Sequence, residues 1–186
     1  MGNSKKNLEF INNVAIILRE YERSHKNYEV SELTNYLKDR GYDFSEELTN
    51  KWIDFVTNDV NSDICNNVIE VLEELKKNNI KMSVATNWFT VSQKGRLERA
   101  GLLNYFDNVV GGDYAVKPNS ESLLLARGDT PIDECLVVGD DYENDFMGAI
   151  NIGMMSVLID DDHELKSIIG GILNDRRSKK RIRKRY

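Results

Sequence analysis

Only two cysteines occur in 186 residues, Cys65 and Cys135, and they show no paired spacing. They suggest neither a disulfide framework nor a zinc site. Long apolar runs are also missing: stretches such as Val14 to Leu18 are far too short to span a bilayer. The N-terminus, MGNSKKNLEF, lacks the apolar core of a secretory signal. Gly2 brings myristoylation to mind, but Lys6 stands where that motif needs serine or threonine. The two histidines, His25 and His163, lie in or beside expected helices without assignable acidic partners, which leaves them structural or solvated. What is present is ordinary for a folded protein, with 40% hydrophobic and 30% charged residues. The expectation is one soluble, cytoplasmic domain, or one domain with a small insertion.

Charge is distributed unevenly. Residues 175–186, DRRSKKRIRKRY, hold eight bases and one acid, whereas the other 174 residues hold 17 bases against 30 acids. Such a tail reads as a disordered or fraying extension. Nucleic-acid binding through it is not the expected role, because aromatic residues are not interleaved with the bases and the acidic body would repel a polyanion.

Periodicity divides the rest. Leu8, Ile11, Val14, Ala15, Leu18 and Tyr21 fall on a 3.6-residue period and predict a helix. A second helix is expected over Val30 to Asp39, with Gly41 as its C-cap. A third opens at Ser45 and carries Leu48, Trp52 and Phe55 on one face. From Asn66 onward helices alternate with strands. The helices are Asn66 to Asn78, Thr90 to Ala100, Asn119 to Arg127, Glu143 to Ile152 and His163 to Asn174. The strands are Ile80 to Thr86, Val109-Val110, Cys135 to Val138 and Met154 to Ile159. This alternation predicts βαβ units and a parallel sheet. Arg127-Gly128-Asp129 reads as a turn.

Ligands of an open parallel sheet bind at the carboxyl ends of its strands. One strand here ends in Thr86-Asn87, the next leads to Lys117-Pro118, and the third ends in Gly139-Asp140-Asp141, with Asn144-Asp145 opening the following helix. Asp140, Asp141, Glu143 and Asp145 fall within six positions, and acids that close call for a cation among them. A hydroxyl, an ammonium and paired carboxylates together suit a phosphate and Mg²⁺, which takes oxygen ligands from one or two carboxylates and keeps waters. Singly, each has a plainer reading: Asp140 or Asp145 as a helix-capping acid, Thr86 as a strand-end hydroxyl, Lys117 as a solvated charge. Trp88 and Phe89 could wall a pocket, although packing beneath the helices is the simpler role.

In order, these segments resemble the haloacid dehalogenase superfamily of phosphohydrolases. SVATN resembles its second motif, with Thr86; GGDYAVKP its third, with Lys117; and GDDYENDFMGAINIGM its fourth, with Asp140 and Asp145 as the implied metal-site acids. The resemblance is strong over residues 66–160. It implies a Rossmann-like α/β core over 66–174, a small all-helical cap over 7–65 and the basic tail over 175–186. It also implies phosphate binding by Thr86, Asn87 and Lys117, Mg²⁺ at Asp140 and Asp145, and a small phosphorylated ligand.

One part of the family pattern is not found in this sequence. The first motif, an apolar strand ending in DxDxT, supplies the nucleophilic and the general acid/base aspartates. VAIILREYERS offers Glu20 and Glu22 in the right alternation, but its period is helical, and an extra methylene would displace the attacking oxygen. Asp160 to Asp162 follow the last strand and belong to a late loop. By resemblance, the first strand lies mid-sheet, between the strands at Cys135 and Ile80. Without it the chain is expected to be inactive as written, and both neighbours are left with unpaired edges. Two readings follow: a phosphatase whose product starts further upstream, or a nonenzymatic binding protein. The gap must close, be filled by another segment, or be filled by another chain, which leaves a homo- or hetero-oligomer open.

Overall fold

A computed structural model describes residues 9–10, 12–14, 16–18, 20–21, 24, 28–58, 66–160 and 165–174. Gly2, Leu8, Ile11, Ala15, His25, Cys65, Asp161, Asp162, His163 and the basic stretch 175–186 lie outside the described residues. Among the described residues no helix is long and apolar enough to cross a membrane.

The described residues between 9 and 24 are helical. Val14, Leu18 and Tyr21, spaced to share one helix face, are all buried. Helix α1 (Val30–Asp39) ends where expected. Gly41 adopts φ 85°, its N–H donates to the Lys38 carbonyl and that of Tyr42 to the Leu37 carbonyl. These bonds satisfy two of the helix's last carbonyls, and the left-handed turn they need suits glycine. Helix α2 (Glu46–Asn58) is capped by the Ser45 hydroxyl, which accepts from the Leu48 N–H at 3.2 Å.

The buried face of α2 differs from the expected one. Leu48 and Phe55 are exposed, whereas Thr49, Ile53 and Thr57 are buried. The reason is polar pairing. The Thr34 and Thr49 hydroxyls meet at 2.7 Å between α1 and α2, and Thr57 Oγ1 donates to the Ile53 carbonyl at 2.6 Å. Satisfied in this way, threonine can occupy core positions that a hydropathy pattern assigns to leucine.

Helix α3 (Asn66–Lys77) packs Val71 against Ile169 and Leu173 of the C-terminal helical residues 165–174. Strand β1 (Ser83–Ala85) pairs in parallel with β2 (Asn108–Val110), Ser83 opposite Asn108 and Ala85 opposite Val110. It is shorter than the apolar run because Asp107 ends the ladder: its Oδ2 accepts from the Met82 N–H at 2.9 Å. Helix α4 (Thr90–Arg99) connects the two strands. Helix α5 (Ser120–Arg127) follows, its first turn capped by Asn119. Strand β3 (Leu136–Gly139) pairs in parallel with β4 (Met155–Leu158).

The helix expected between β3 and β4 is mostly a π-helical turn, Tyr142–Met147, running into the short α6 (Gly148–Ile150). The Asp141 carbonyl accepts from both Asp145 N (2.9 Å) and Phe146 N (3.2 Å). That sharing widens the turn by one residue.

The β1–β2 and β3–β4 pairs form two separate two-stranded sheets. Apolar packing links them, since Leu123 of α5, Ala149 and Met154 form a cluster that takes in both Ala85 of β1 and Val137 of β3. The N-terminal helices pack their own core over Trp88, Phe89 and Val116. Tyr28 meets Trp88 and Phe89 edge-on, with ring centroids at 5.9 and 5.6 Å, so both residues are packing groups as expected.

Gly111 lets the chain leave β2 beneath the start of α4. A Cβ there would lie 2.4 Å from both the Thr90 backbone nitrogen and the Trp88 carbonyl oxygen, so backbone would have to move. Gly111→Ala is therefore expected to lower stability by about 1–3 kcal/mol, read as a shift in urea midpoint. An unchanged midpoint would show the loop to be free to shift.

Candidate functional site

The carboxyl ends of β1 and β3, and the loop after β2, bring four of the five expected residues together through backbone and side-chain contacts. Thr86 is half-buried and stays in the ladder through its N–H, which donates to the Val110 carbonyl at 2.9 Å. Its hydroxyl has no protein partner among the described residues and is open to a ligand.

Asn87 spends much of its amide on the protein. Its Nδ2 donates to the Lys117 carbonyl at 3.0 Å and its Oδ1 accepts from the Lys117 N–H at 2.7 Å. The amide thus holds Lys117 by its backbone at two points, imitating a strand pairing, with an oxygen lone pair and one N–H left over.

Lys117 points its ammonium at Asp145, Nζ to Oδ1 at 2.5 Å. The two side chains are only 12% and 10% exposed, so the pair is little screened by solvent. Asp145 Oδ2 also accepts from the Asp141 N–H at 3.3 Å. The carboxylate can lie against the end of β3 because residue 139 is glycine; a Cβ there would be 2.2 Å from Asp145 Oδ2.

The remaining acids separate by role. Asp141 is the cap: Oδ1 accepts from the Asn144 N–H at 2.8 Å and Oδ2 from Asn144 Nδ2 at 3.0 Å. The Asn144 N–H bond is the largest cause holding its carboxyl below the usual aspartate pKa, aided by Lys117. Asp140 is exposed, with no polar partner among the described residues. The capping role foreseen for Asp140 or Asp145 thus falls to Asp141, a position that the Asp-x-x-Asn spacing could have singled out.

Among the described residues no three His, Cys, Asp or Glu side chains group as a metal cage. The donor chemistry nevertheless fits Mg²⁺ of the weakly held kind. Asp145 is fixed and buried, Asp140 is free, and such an ion takes one or two carboxylates and completes its shell with phosphate and water.

Residues 9–159 match the model of the haloacid dehalogenase-like hydrolases. The chain belongs to that family. It is 36% identical over 99 residues to ribulose-1,5-bisphosphate 5-phosphatase of Halopiger xanaduensis, covering 51% of this chain and 41% of the relative. It is 32% identical over 101 residues to glyceraldehyde 3-phosphate phosphatase of Methanothermobacter thermautotrophicus, covering 52% and 44%. The match thus spans less than half the length of these relatives. A HAD phosphatase structure from Thermococcus onnurineus superposes with TM-score 0.54 at 27% identity, covering 74% of this chain and 70% of that one. This haloacid dehalogenase-like chain therefore has the Rossmann-like α/β core that its motifs imply.

Two outcomes test the site's electrostatics. Asp145→Ala leaves the Lys117 ammonium buried without its partner and is expected to lower stability by about 3–5 kcal/mol. The double variant Lys117→Met/Asp145→Leu should recover much of that loss in the same denaturation assay, and failure to recover would mean that Asp145 acts mainly through its bond to Asp141. The Asp141 cap has the sign of a depressed carboxyl: its stabilisation is present above the ordinary aspartate pKa and is lost as pH falls through the lowered value. Asp141→Ala should therefore lose about 1 kcal/mol at neutral pH and approach the native melting temperature in acid. An equal loss at both pH values would rule out the charged cap.

Proposed function

We propose that this haloacid dehalogenase-like chain binds a small phosphorylated metabolite together with Mg²⁺ at Thr86, Lys117, Asp140 and Asp145. Residues 7–65 would act as its cap, 66–174 as its core. The observation that carries this reading is the buried pairing of Lys117 with Asp145, with Lys117 held by Asn87, the residue next to Thr86 at the end of β1. Lys117 neutralises phosphate charge, Thr86 donates a hydrogen bond to it, and Asn87 positions Lys117 by its backbone. Bound Mg²⁺ would supply further neutralisation of the phosphate oxygens. The relatives named for ribulose-1,5-bisphosphate and glyceraldehyde 3-phosphate support a small phosphorylated carbon compound as the ligand class.

On this reading residues 1–186 by themselves bind without turnover, because the family's attacking aspartate belongs to a first motif that these residues do not contain. Removal of a catalytic nucleophile lowers rate by several orders of magnitude. The test is calorimetric titration of the full chain with glyceraldehyde 3-phosphate, with and without Mg²⁺, alongside phosphate release. Expected are Mg²⁺-dependent binding, at least tenfold weaker binding in Lys117→Ala, and no release above blank. Binding indifferent to Mg²⁺ and to Lys117 would sink the site, and release lost in Lys117→Ala would sink the claim of no turnover.

A further inference from the structure

We propose that Asp113 is a positioning residue of the phosphate site: its carboxylate latches the loop after β2 to the start of α4, and so holds the Lys117 ammonium where it meets Asp145. The inference rests on the phosphate-binding reading and adds to it a residue outside the group that would touch the ligand. The loop leaves β2 through Gly111 and Gly112, two buried residues with no side chains to anchor them, and reaches Lys117 six positions after the first. Its order therefore has to come from hydrogen bonds. At the far end Asn87 holds the Lys117 backbone at two points. At the near end the Gly112 N–H donates to the Trp88 carbonyl at 2.9 Å, and the Gly111 N–H donates to the Thr90 hydroxyl at 2.9 Å. That hydroxyl donates in turn to Asp113 Oδ1 at 2.7 Å, and the Thr90 N–H donates to the same oxygen at 2.7 Å. Thr90 is thus gripped by residues 111 and 113 together, and a carboxylate at the end of the chain strengthens the bonds behind it.

This is more than a surface carboxylate meeting a nearby donor. Asp113 is exposed, so burial does not hold its side chain in place. It nevertheless folds back over its own loop, along a path that only glycine leaves open: a Cβ at residue 111 would lie 2.5 Å from Asp113 Oδ1. Gly139 clears the way for Asp145 by the same device, so each partner of the ion pair depends on a carboxylate passing over a glycine. Helix α4 has no cap of its own, since Phe89 offers no side-chain acceptor and the first turn carries no acid. Asp113 meets that need from across the loop, where the unpaired N–H groups and the helix dipole favour a negative charge. The bond works in both directions: the loop caps the helix, and the helix anchors the loop. Tyr28 closes the other side, its ring so near Gly112 that a Cβ there would lie 2.4 Å from it. With the loop tied at both ends, motion at the site is left to the Lys117 side chain, and oriented groups lose much of their effect when displaced by about 1 Å.

The test compares, in the full chain, two carboxylates that tie opposite ends of one strand pair. Asp113 acts beyond the carboxyl ends of β1 and β2, and Asp107 acts at their amino ends, accepting from the Met82 N–H at 2.9 Å. Calorimetric titration with glyceraldehyde 3-phosphate and Mg²⁺ should show affinity lowered about tenfold in Asp113→Ala. Asp113→Asn keeps an oxygen that can accept both Thr90 bonds, so its affinity should return to within about threefold of the unmodified chain. Asp107→Ala should lower the urea midpoint yet leave affinity within about twofold, because its bond lies away from the loop. Residue-resolved amide exchange reads the latch without ligand. In Asp113→Ala the Lys117 amide should exchange about tenfold faster, while the Thr86 amide, bonded to Val110 within the ladder, stays unchanged. The proposal is overturned by unchanged affinity in Asp113→Ala, by equal weakening in Asp107→Ala, or by an unchanged Lys117 amide. Asp113→Asn as weak as Asp113→Ala would overturn it too, since charge and not the bonds to Thr90 would then carry the effect. Should the unmodified chain not bind the probe, the phosphate-binding reading falls by itself, and the Lys117 amide still decides for or against the latch.

Discussion

Two parallel strand pairs that share no hydrogen bond must be kept side by side by other means, and this requirement governs the structure. A continuous sheet would join them through its ladder. Here the work falls to the apolar cluster of Leu123, Ala149 and Met154, which reaches Ala85 and Val137, and to the Lys117–Asp145 ion pair. The first is nondirectional and scales with buried area. The second is directional and works at short range, so it fixes which strand ends face one another. Removing either would leave the other to hold surfaces that it does not itself orient.

The ion pair depends in turn on local devices. Asn87 holds the Lys117 backbone from the β1 side, and Gly139 makes room for Asp145 at the end of β3. Asp141 keeps the turn that carries Asp145 in its wide π-helical form by sharing one carbonyl between two N–H groups. The site's two charges therefore sit on opposite half-sheets, and each is oriented by a neighbour in the same motif. This explains why the acids of residues 140–145 do not simply repel: one is paired, one is committed to a cap, and Asp140 is solvated.

Much of this was legible in the sequence because it rests on local chemistry. Gly41 after α1, Ser45 before α2 and the alternation after Asn66 each have a physical cause within a few residues. So does the coincidence of Thr86, Lys117 and Asp145 at strand ends, once the parallel order is inferred. The misreadings share another origin. Leu48 and Phe55 lie outside the core because a threonine pair between α1 and α2 takes the buried face, and hydropathy is blind to two hydroxyls that satisfy each other. That the Asn87 amide also holds the Lys117 backbone, thirty positions away, has no local signal. The short β1 reflects Asp107, whose side chain replaces a backbone acceptor. In each case a long-range polar contact overrode a correct local pattern.

The same contacts bear on how a ligand would enter. Lys117 and Asp145 already neutralise one another, so neither charge is free while the pair is closed. On the proposed reading, a phosphate that draws the Lys117 ammonium toward it leaves Asp145 as a buried carboxylate short of one partner, and an unpaired buried charge is strongly disfavoured. A cation at Asp145 relieves that penalty, and a cation alone would in turn displace the ammonium. Each ligand is therefore disfavoured without the other, and affinity for phosphate and for Mg²⁺ must be coupled by the same factor in both directions. The coupling needs no movement of the sheets, only an exchange of partners at two side chains whose backbones Asn87 and the π-helical turn hold still.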